Sequence, residues 1–260
     1  MHTTFASAPP GYELDAVLGR GRHGVVYLAH SPQTGRKVAI KLASRGTGGG
    51  VSPGFEREFK LHNQAIHPHI VQALDHGATS QQAFLAMELM EGGDLSQLRG
   101  PLQPPRALAL LAQSASALAL LHQQGWVHRD LKPANLLLRG DGSVALSDFG
   151  TACPHGQRYP LTAGTLIGTP RYAAPEQQGP GAAQPTADVY SLGVLFYEWL
   201  VGKPPYPGTT LTEIICQHMF APVPRLPRML EKYQPLLNRM LSKKPEQRWA
   251  HGKAVLEQLS

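Results

Sequence analysis

The sequence predicts an α+β fold of two unlike lobes, a small β-rich one followed by a larger, mainly helical one. Three observations predict it. Short β-branched or apolar runs with a single helix fill the first 90 residues, and long helical patterns take over after Glu91-Gly92-Gly93. A chain of 260 residues, 42% hydrophobic and 16% charged, is also long enough for one large domain or two lobes with real cores. Its seven Phe, eight Tyr and three Trp exclude wholesale disorder and collagen-like or disulfide-stapled classes.

In the first lobe, strands are predicted at Tyr12 to Leu18, Val25 to Ala29, Lys37 to Leu42, Val71 to Asp75 and Ala83 to Glu88, each bounded by Gly, Pro or Asn-like turn residues. Ser52-Pro53 supplies an N-cap followed by Pro at the first helical position, so a helix runs from about Pro53 to Ile66. Phe55, Phe59 and Ile66 give it an apolar face and leave Arg57, Lys60 and Asn63 for water. The second lobe reads as helices over Pro104 to Gln124, Ala187 to Val201, Leu211 to Met219, Leu226 to Leu241 and Ala250 to Leu259. No internal repeat is present.

Composition bounds the function as well. The two cysteines, Cys153 and Cys216, stand far apart and in no metal-like spacing, which suits a reducing compartment. The run Ala107 to Leu121 is broken by Gln113, Ser114 and Ser116, so it reads as a buried helix and no membrane segment is expected. With no secretory signal in Met1 to Pro10, the expected location is cytoplasmic. The net charge of +6 is not concentrated in a basic run, and no nucleic-acid partner is expected.

Three motifs carry chemistry. Gly19-Arg20-Gly21-Arg22-His23-Gly24 lies between two predicted strands, where glycines let backbone amides approach phosphate oxygens; a plain hairpin turn is the alternative. A dinucleotide-binding reading needs a helix after the glycines, and a strand carrying Val38-Ala39-Ile40-Lys41 follows instead. A buried lysine needs a partner charge, and the downstream helix offers Glu58, nine residues before His67-Pro68, with Glu56 as the fallback. The third motif is His128-Arg129-Asp130-Leu131-Lys132-Pro133-Ala134-Asn135, joined by the turn Gly140-Asp141-Gly142 to Ser147-Asp148-Phe149-Gly150. A β-hairpin would bring Asn135 and Asp148 to one cleft as hard oxygen ligands for magnesium, leaving Asp130 to accept a proton from a hydroxyl.

From about Tyr12 to its end the sequence resembles the eukaryotic-like, Hanks-type serine/threonine protein kinases. Gly168 to Glu176 matches the family segment ending in A-P-E, Asp188 to Gly193 resembles the start of its central large-lobe helix, and Lys244-Pro245-Glu246-Gln247-Arg248 supplies the arginine that pairs with the A-P-E glutamate, here Glu176. Lys132 and Thr169 are similar to the serine/threonine branch, and the wording of Tyr172 to Gln177 resembles bacterial members. The resemblance implies residues 1–11 as an N-terminal extension and 12–260 as a kinase domain, with an N-lobe over about 12–90, a hinge over about 88–93 and a C-lobe over about 94–260. It also implies ATP with Mg2+, or Mn2+ in its place.

Residue by residue, the resemblance gives the Gly19 to Gly24 loop the triphosphate. Lys41, positioned by Glu58, takes the α- and β-phosphates; Asn135 and Asp148 take the metal; Asp130 takes the acceptor hydroxyl and Lys132 the γ-phosphate. Adenine is expected against Val26, Ala39 and Leu137, on the backbone of Glu88 and Met90, with Met87 at the back. Arg129 is expected to receive an activation-loop phosphate on Thr162 or Thr165, the alternative being a loop ordered without modification, while Thr169 is expected to be a structural hydroxyl near Asp130. Partners implied are protein substrates with Ser/Thr acceptors, a cognate phosphatase and an activator in trans, with a transient dimer as a further route of control. His62 stands where relatives carry an apolar residue, which predicts a loosely docked helix. A nucleotide-binding pseudokinase and a small-molecule kinase are the competing readings; the first is opposed by Lys41, Asp130, Asn135 and Asp148 occurring together, the second by the segment Gly168 to Glu176.

Overall fold

A computed structural model describes residues 7–21, 24–45, 50–79, 81–158, 168–178 and 181–259. Five antiparallel strands form the sheet of the small lobe: β1 (Glu13–Gly21), β2 (Gly24–His30), β3 (Lys37–Ser44), β4 (Ala73–Ala78) and β5 (Gln82–Glu88), in the spatial order β1-β2-β3-β5-β4. Period-two alternation assigns the two faces of β3. Val38, Ile40 and Leu42 join Tyr27 and Phe84 in one cluster, whereas Ala43 on the opposite face joins Phe55, Leu85 and Met87. Lys41 shares that opposite face.

Helix α1 (Pro53–Gln64) packs there. Ser52 Oγ accepts the Phe55 amide at 3.3 Å, and Pro53 occupies the first helical position, where its missing N–H leaves no donor unpaired. The helix stops two residues before the expected Ile66, because His67 precedes Pro68 and is biased away from helical backbone. Ile66 is consequently 80% exposed rather than part of the apolar face. Arg57 is not left to water either; it donates to the Gly150 carbonyl at 3.2 Å. The fourth strand starts later than expected, since the Val71 amide is spent on the Leu146 carbonyl of the large lobe at 3.0 Å.

The large lobe is built on α2 (Pro104–Gln123) and α3 (Pro185–Val201), whose Leu110, Leu111, Leu118, Val194, Leu195 and Phe196 share one core. Between them lie the short strands β6 (Trp126–Val127), β7 (Leu136–Leu138), β8 (Val144–Leu146) and β9 (Cys153–Pro154), pairing as β6-β9 and β7-β8. Helices α4 (Leu211–Phe220), α5 (Gln234–Met240) and α6 (Gly252–Leu256) complete it. The single helix expected over Leu226 to Leu241 is a 3-10 segment, Arg228–Tyr233, followed by α5, because Pro227 and Pro235 each remove a backbone donor. The helix expected over Ala250 to Leu259 contracts to the five residues of α6. Among the described residues no helix is long and apolar enough to cross a membrane.

Candidate functional site

The cleft between the lobes begins at Lys41. Its ammonium donates to Glu58 Oε2 at 2.5 Å and to Asp148 Oδ1 at 3.2 Å, and the lysine and glutamate side chains are only 7% and 2% exposed. Glu58, not Glu56, therefore meets the lysine. Burial pushes the Glu58 carboxyl up to about 7 against the pull of Lys41. Burial also opposes the charge on Lys41, but Glu58 and Asp148 outweigh it and hold the ammonium above its ordinary range. Asp148 feels the same contest, with Lys41 keeping its carboxyl below the usual range despite burial.

His62, the residue expected to loosen the docking of α1, is itself packed between α1 and its neighbours. That ring is buried, stands edge-to-face on Phe149 at 4.9 Å, and its Nδ1 lies 2.8 Å from the Val71 carbonyl. Burial lowers its pKa to about 4, so the imidazole is neutral and donates through Nδ1–H. Phe149 in turn meets the His128 ring at 5.5 Å.

On the opposite wall, the hairpin β7-β8 carries Asn135 at its start and Asp148 just past its end. Asp148 has the left-handed φ of 60°, which turns its carboxylate back toward Lys41. Asn135 Nδ2 donates to the Asp130 carbonyl at 2.8 Å, so the amide's oxygen is left for another partner. The Asp130 carboxylate accepts Lys132 Nζ at 2.6 Å on one oxygen and Thr169 Oγ1 at 2.7 Å on the other. Asp130, Lys132, Asn135, Asp148 and Thr169 thus converge, although Thr169 lies 39 residues from Asp130 in the chain.

The glycines belong to the β1-β2 hairpin. Gly19 faces Val26 and Gly21 faces Gly24 in the β1-β2 register, with Arg20 exposed; Arg22 and His23, at the tip, lie outside the described residues. A Cβ on Gly24 would stand 2.2 Å from the Leu42 carbonyl, so this glycine is required by its contact with β3. Ala39 is in register with Met87, and Val26 with Lys41. Met87 and Met90 are buried together, with Leu137 packed against them. The Glu88 amide is spent on the Gln72 carbonyl at 3.0 Å, which leaves its carbonyl, not its N–H, for a ligand.

The backbone at His128 and Arg129 is held by a residue that the sequence reading placed only on a helix. Asp188, fully buried, accepts the His128 amide at 2.8 Å, the Arg129 amide at 2.8 Å and His122 Nε2 at 2.9 Å. Its carboxyl is held below the usual range by His122 and these amides, although burial pushes the other way. Arg129 pays for this with a left-handed φ of 70°; its Nε donates to the Thr151 carbonyl at 2.7 Å and its carbonyl accepts Gln177 Nε2 at 2.8 Å. A carboxylate in the first turn of a helix whose following residues are almost all apolar was the available signal for Asp188. Thr162 and Thr165 lie outside the described residues. Further back, Arg248 meets Glu176 through two bonds of 2.6 and 2.9 Å, as a fork on a carboxylate.

The chain is similar to known proteins over most of its length. The family model described as "Protein kinase domain" matches residues 12–259. The serine/threonine-protein kinase PknH of Mycobacterium tuberculosis is 36% identical over 250 residues, covering 92% of this chain and 40% of that protein. PknL of the same species is 34% identical over 255 residues, covering 94% and 63%. The kinase pkn2 of Myxococcus xanthus is 37% identical over 248 residues, covering 89% and 30%. The chain thus spans between 30% and 63% of these relatives' own length. On that match over nearly its whole length, the chain belongs to the protein kinase family.

Proposed function

We propose that this chain is an ATP-dependent serine/threonine protein kinase. The observation that carries the reading is the convergence of Lys41, held by Glu58, with Asp148, Asn135, Asp130 and Lys132 in one cleft. In the proposed reaction a Ser or Thr hydroxyl oxygen attacks the γ-phosphorus while the bond to the β–γ bridging oxygen breaks and ADP leaves. The hydroxyl proton passes to the Asp130 carboxylate. Lys41 binds the α- and β-phosphates, and the backbone of the Gly19 to Gly24 hairpin covers them. Lys132, 2.6 Å from Asp130, stands beside the position of the entering oxygen and serves the γ-phosphate. Adenine lies on Val26, Ala39 and Leu137, with Met87 behind, and bonds to the Glu88 carbonyl and the Met90 amide.

The donor set fits a hard divalent cation. Asp148 offers a carboxylate and Asn135 an amide oxygen, and two protein ligands plus phosphate oxygens suit Mg2+ or Mn2+. When bound, such an ion neutralises phosphate charge. Thr169 orients Asp130 through its 2.7 Å bond. Arg129 is the proposed receptor for a phosphate on Thr162 or Thr165, which mass spectrometry of the active enzyme would detect. Glu176 and Arg248 hold the substrate-side segment. Protein substrates, a phosphatase and an activator in trans complete the proposal.

The test is transfer of label from γ-labelled ATP to a generic basic protein. Lys41→Met and Asp148→Asn each remove charge stabilisation worth several kcal/mol, so each is expected to lose at least ~10²-fold in rate. Near-normal turnover in either variant would refute the assignment.

A further inference from the structure

The face of the hinge turned away from the nucleotide carries an arrangement that the reaction itself does not use. Glu88 ends β5, and its backbone belongs to the proposed adenine site. Its side chain points the other way and meets Arg139, which follows β7 in the large lobe. Arg139 Nε donates to Glu88 Oε2 at 2.9 Å and Nη2 to Glu88 Oε1 at 2.7 Å. The third nitrogen, Nη1, donates at 2.5 Å to the carbonyl of Pro68, in the link between α1 and β4. That link is tied to Glu88 a second time, because the Gln72 amide donates to Glu88 Oε1 at 2.8 Å and the Gln72 carbonyl accepts the Glu88 amide at 3.0 Å.

A single guanidinium therefore joins three segments: the adenine-side strand of the small lobe, the connection that anchors α1 and with it Glu58, and the hairpin that carries Leu137 below the adenine site. Two backbone bonds run parallel to it, Gly92 amide to Leu138 carbonyl at 3.0 Å and Leu138 amide to Gly93 carbonyl at 2.8 Å. The pair is not a loose surface contact. Its side chains are 24% and 19% exposed, every nitrogen of the guanidinium has an acceptor, and the fork geometry is the one that favours Arg over Lys. The Glu88 carboxyl is pushed up by burial, yet the bonds from Arg139 and Gln72 hold it below the usual range.

We infer that Glu88 and Arg139 are positioning residues, a clamp that sets the spacing between the hinge and the floor of the adenine slot and so preorganises nucleotide binding. The clamp acts on affinity rather than on transfer, because none of its atoms reaches Asp130, Lys132 or the acceptor. The inference rests on the kinase reading only for the identity of the nucleotide.

The test compares Arg139→Met, Glu88→Gln and the double variant in the full chain. ATP KM and kcat are measured in the transfer assay, the Kd of a fluorescent ATP analogue by titration, and amide hydrogen exchange over residues 66–72 and 88–93. Loss of a bidentate charged bond is expected to raise KM and Kd ~10-fold in Arg139→Met, with kcat within about twofold and faster exchange in both segments. Glu88→Gln moves the same way by less, since the amide oxygen still accepts from Gln72. The double variant should be no worse than Arg139→Met alone, because the two side chains act as one unit. Unchanged Kd, losses that add as independent residues, or a fall in kcat alone would each overturn the clamp. If the parent chain shows no transfer, the kinase reading fails while the Kd and exchange comparison still decides the clamp; a variant that melts far below the parent is judged on the milder Glu88→Gln.

Discussion

Replacing Glu58 by Gln isolates the charge that Glu58 brings to its buried ion pair with Lys41. The side chain is 2% exposed and 2.5 Å from Lys41 Nζ, so the amide keeps the shape and one hydrogen bond but withdraws the negative charge. Breaking a buried pair by removing one partner costs about 3–5 kcal/mol. Asp148, 3.2 Å away, still faces the ammonium, which favours the lower end. A penalty of about 3 kcal/mol on holding Lys41 in place corresponds to a loss on the order of 100-fold in kcat/KM. The assay is label transfer from γ-labelled ATP between pH 6 and 8. In the parent, transfer should fall as pH drops through about 7, where the Glu58 carboxyl takes up its proton, and this limb should be missing in Glu58→Gln. Stability runs the other way. A carboxyl whose folded pKa is raised contributes stability that is fully present below its unfolded value and is lost as pH rises through about 7. A loss of less than about threefold, or an acid limb that persists in Glu58→Gln, would refute this account of the pair.

Two further substitutions probe the framework. Asp188→Asn takes the charged acceptor from all three buried donors and sets an NH2 against at least one of them, so it should cost about 2–3 kcal/mol and slow transfer by at least ~10-fold as Arg129 relaxes from its positive φ; parent-like melting and rate would contradict this. Because the Asp188 carboxyl is held low in the folded chain, its contribution is present above the ordinary Asp range and should vanish as pH falls below it, which acid unfolding of parent and variant would reveal. Arg248→Met removes a fully buried guanidinium from Glu176 and from the carbonyls of Ser242, Lys243 and Thr186, with an expected drop in Tm on the order of 10 °C by calorimetry; a shift within two or three degrees would mean the fork is energetically idle.

What was legible in the sequence follows from range. The glycine hairpin, the run from His128 to Asn135 and the step to Asp148 announce themselves because each motif is local and its spacing is set by one turn or one hairpin. The same locality made the capped start of α1 readable at Ser52 and Pro53. Asp188, His122, Gln177 and Arg139 act on segments dozens of residues away, and nothing in their neighbours' spacing marks the distant partner. Apolar periodicity also overran real ends: Ile66 continues the pattern of α1 but follows a helix already stopped ahead of Pro68, and Leu226 to Leu241 keeps its pattern through two prolines that the backbone cannot. His62 looked like a defect in an apolar column, yet one hydrogen bond to Val71 and a ring contact to Phe149 let a neutral imidazole occupy it.

Asp130→Asn tests the central claim most directly. The amide preserves size and the acceptor oxygen facing Thr169 but cannot take the proton of an entering hydroxyl. With the divalent cation and γ-labelled ATP present, the parent should label a basic protein substrate, and Asp130→Asn should not, while both bind the nucleotide analogue with similar Kd. Label transfer by Asp130→Asn at the parent's rate would contradict the assignment of Asp130, and nucleotide binding without transfer in the parent would contradict the kinase reading itself.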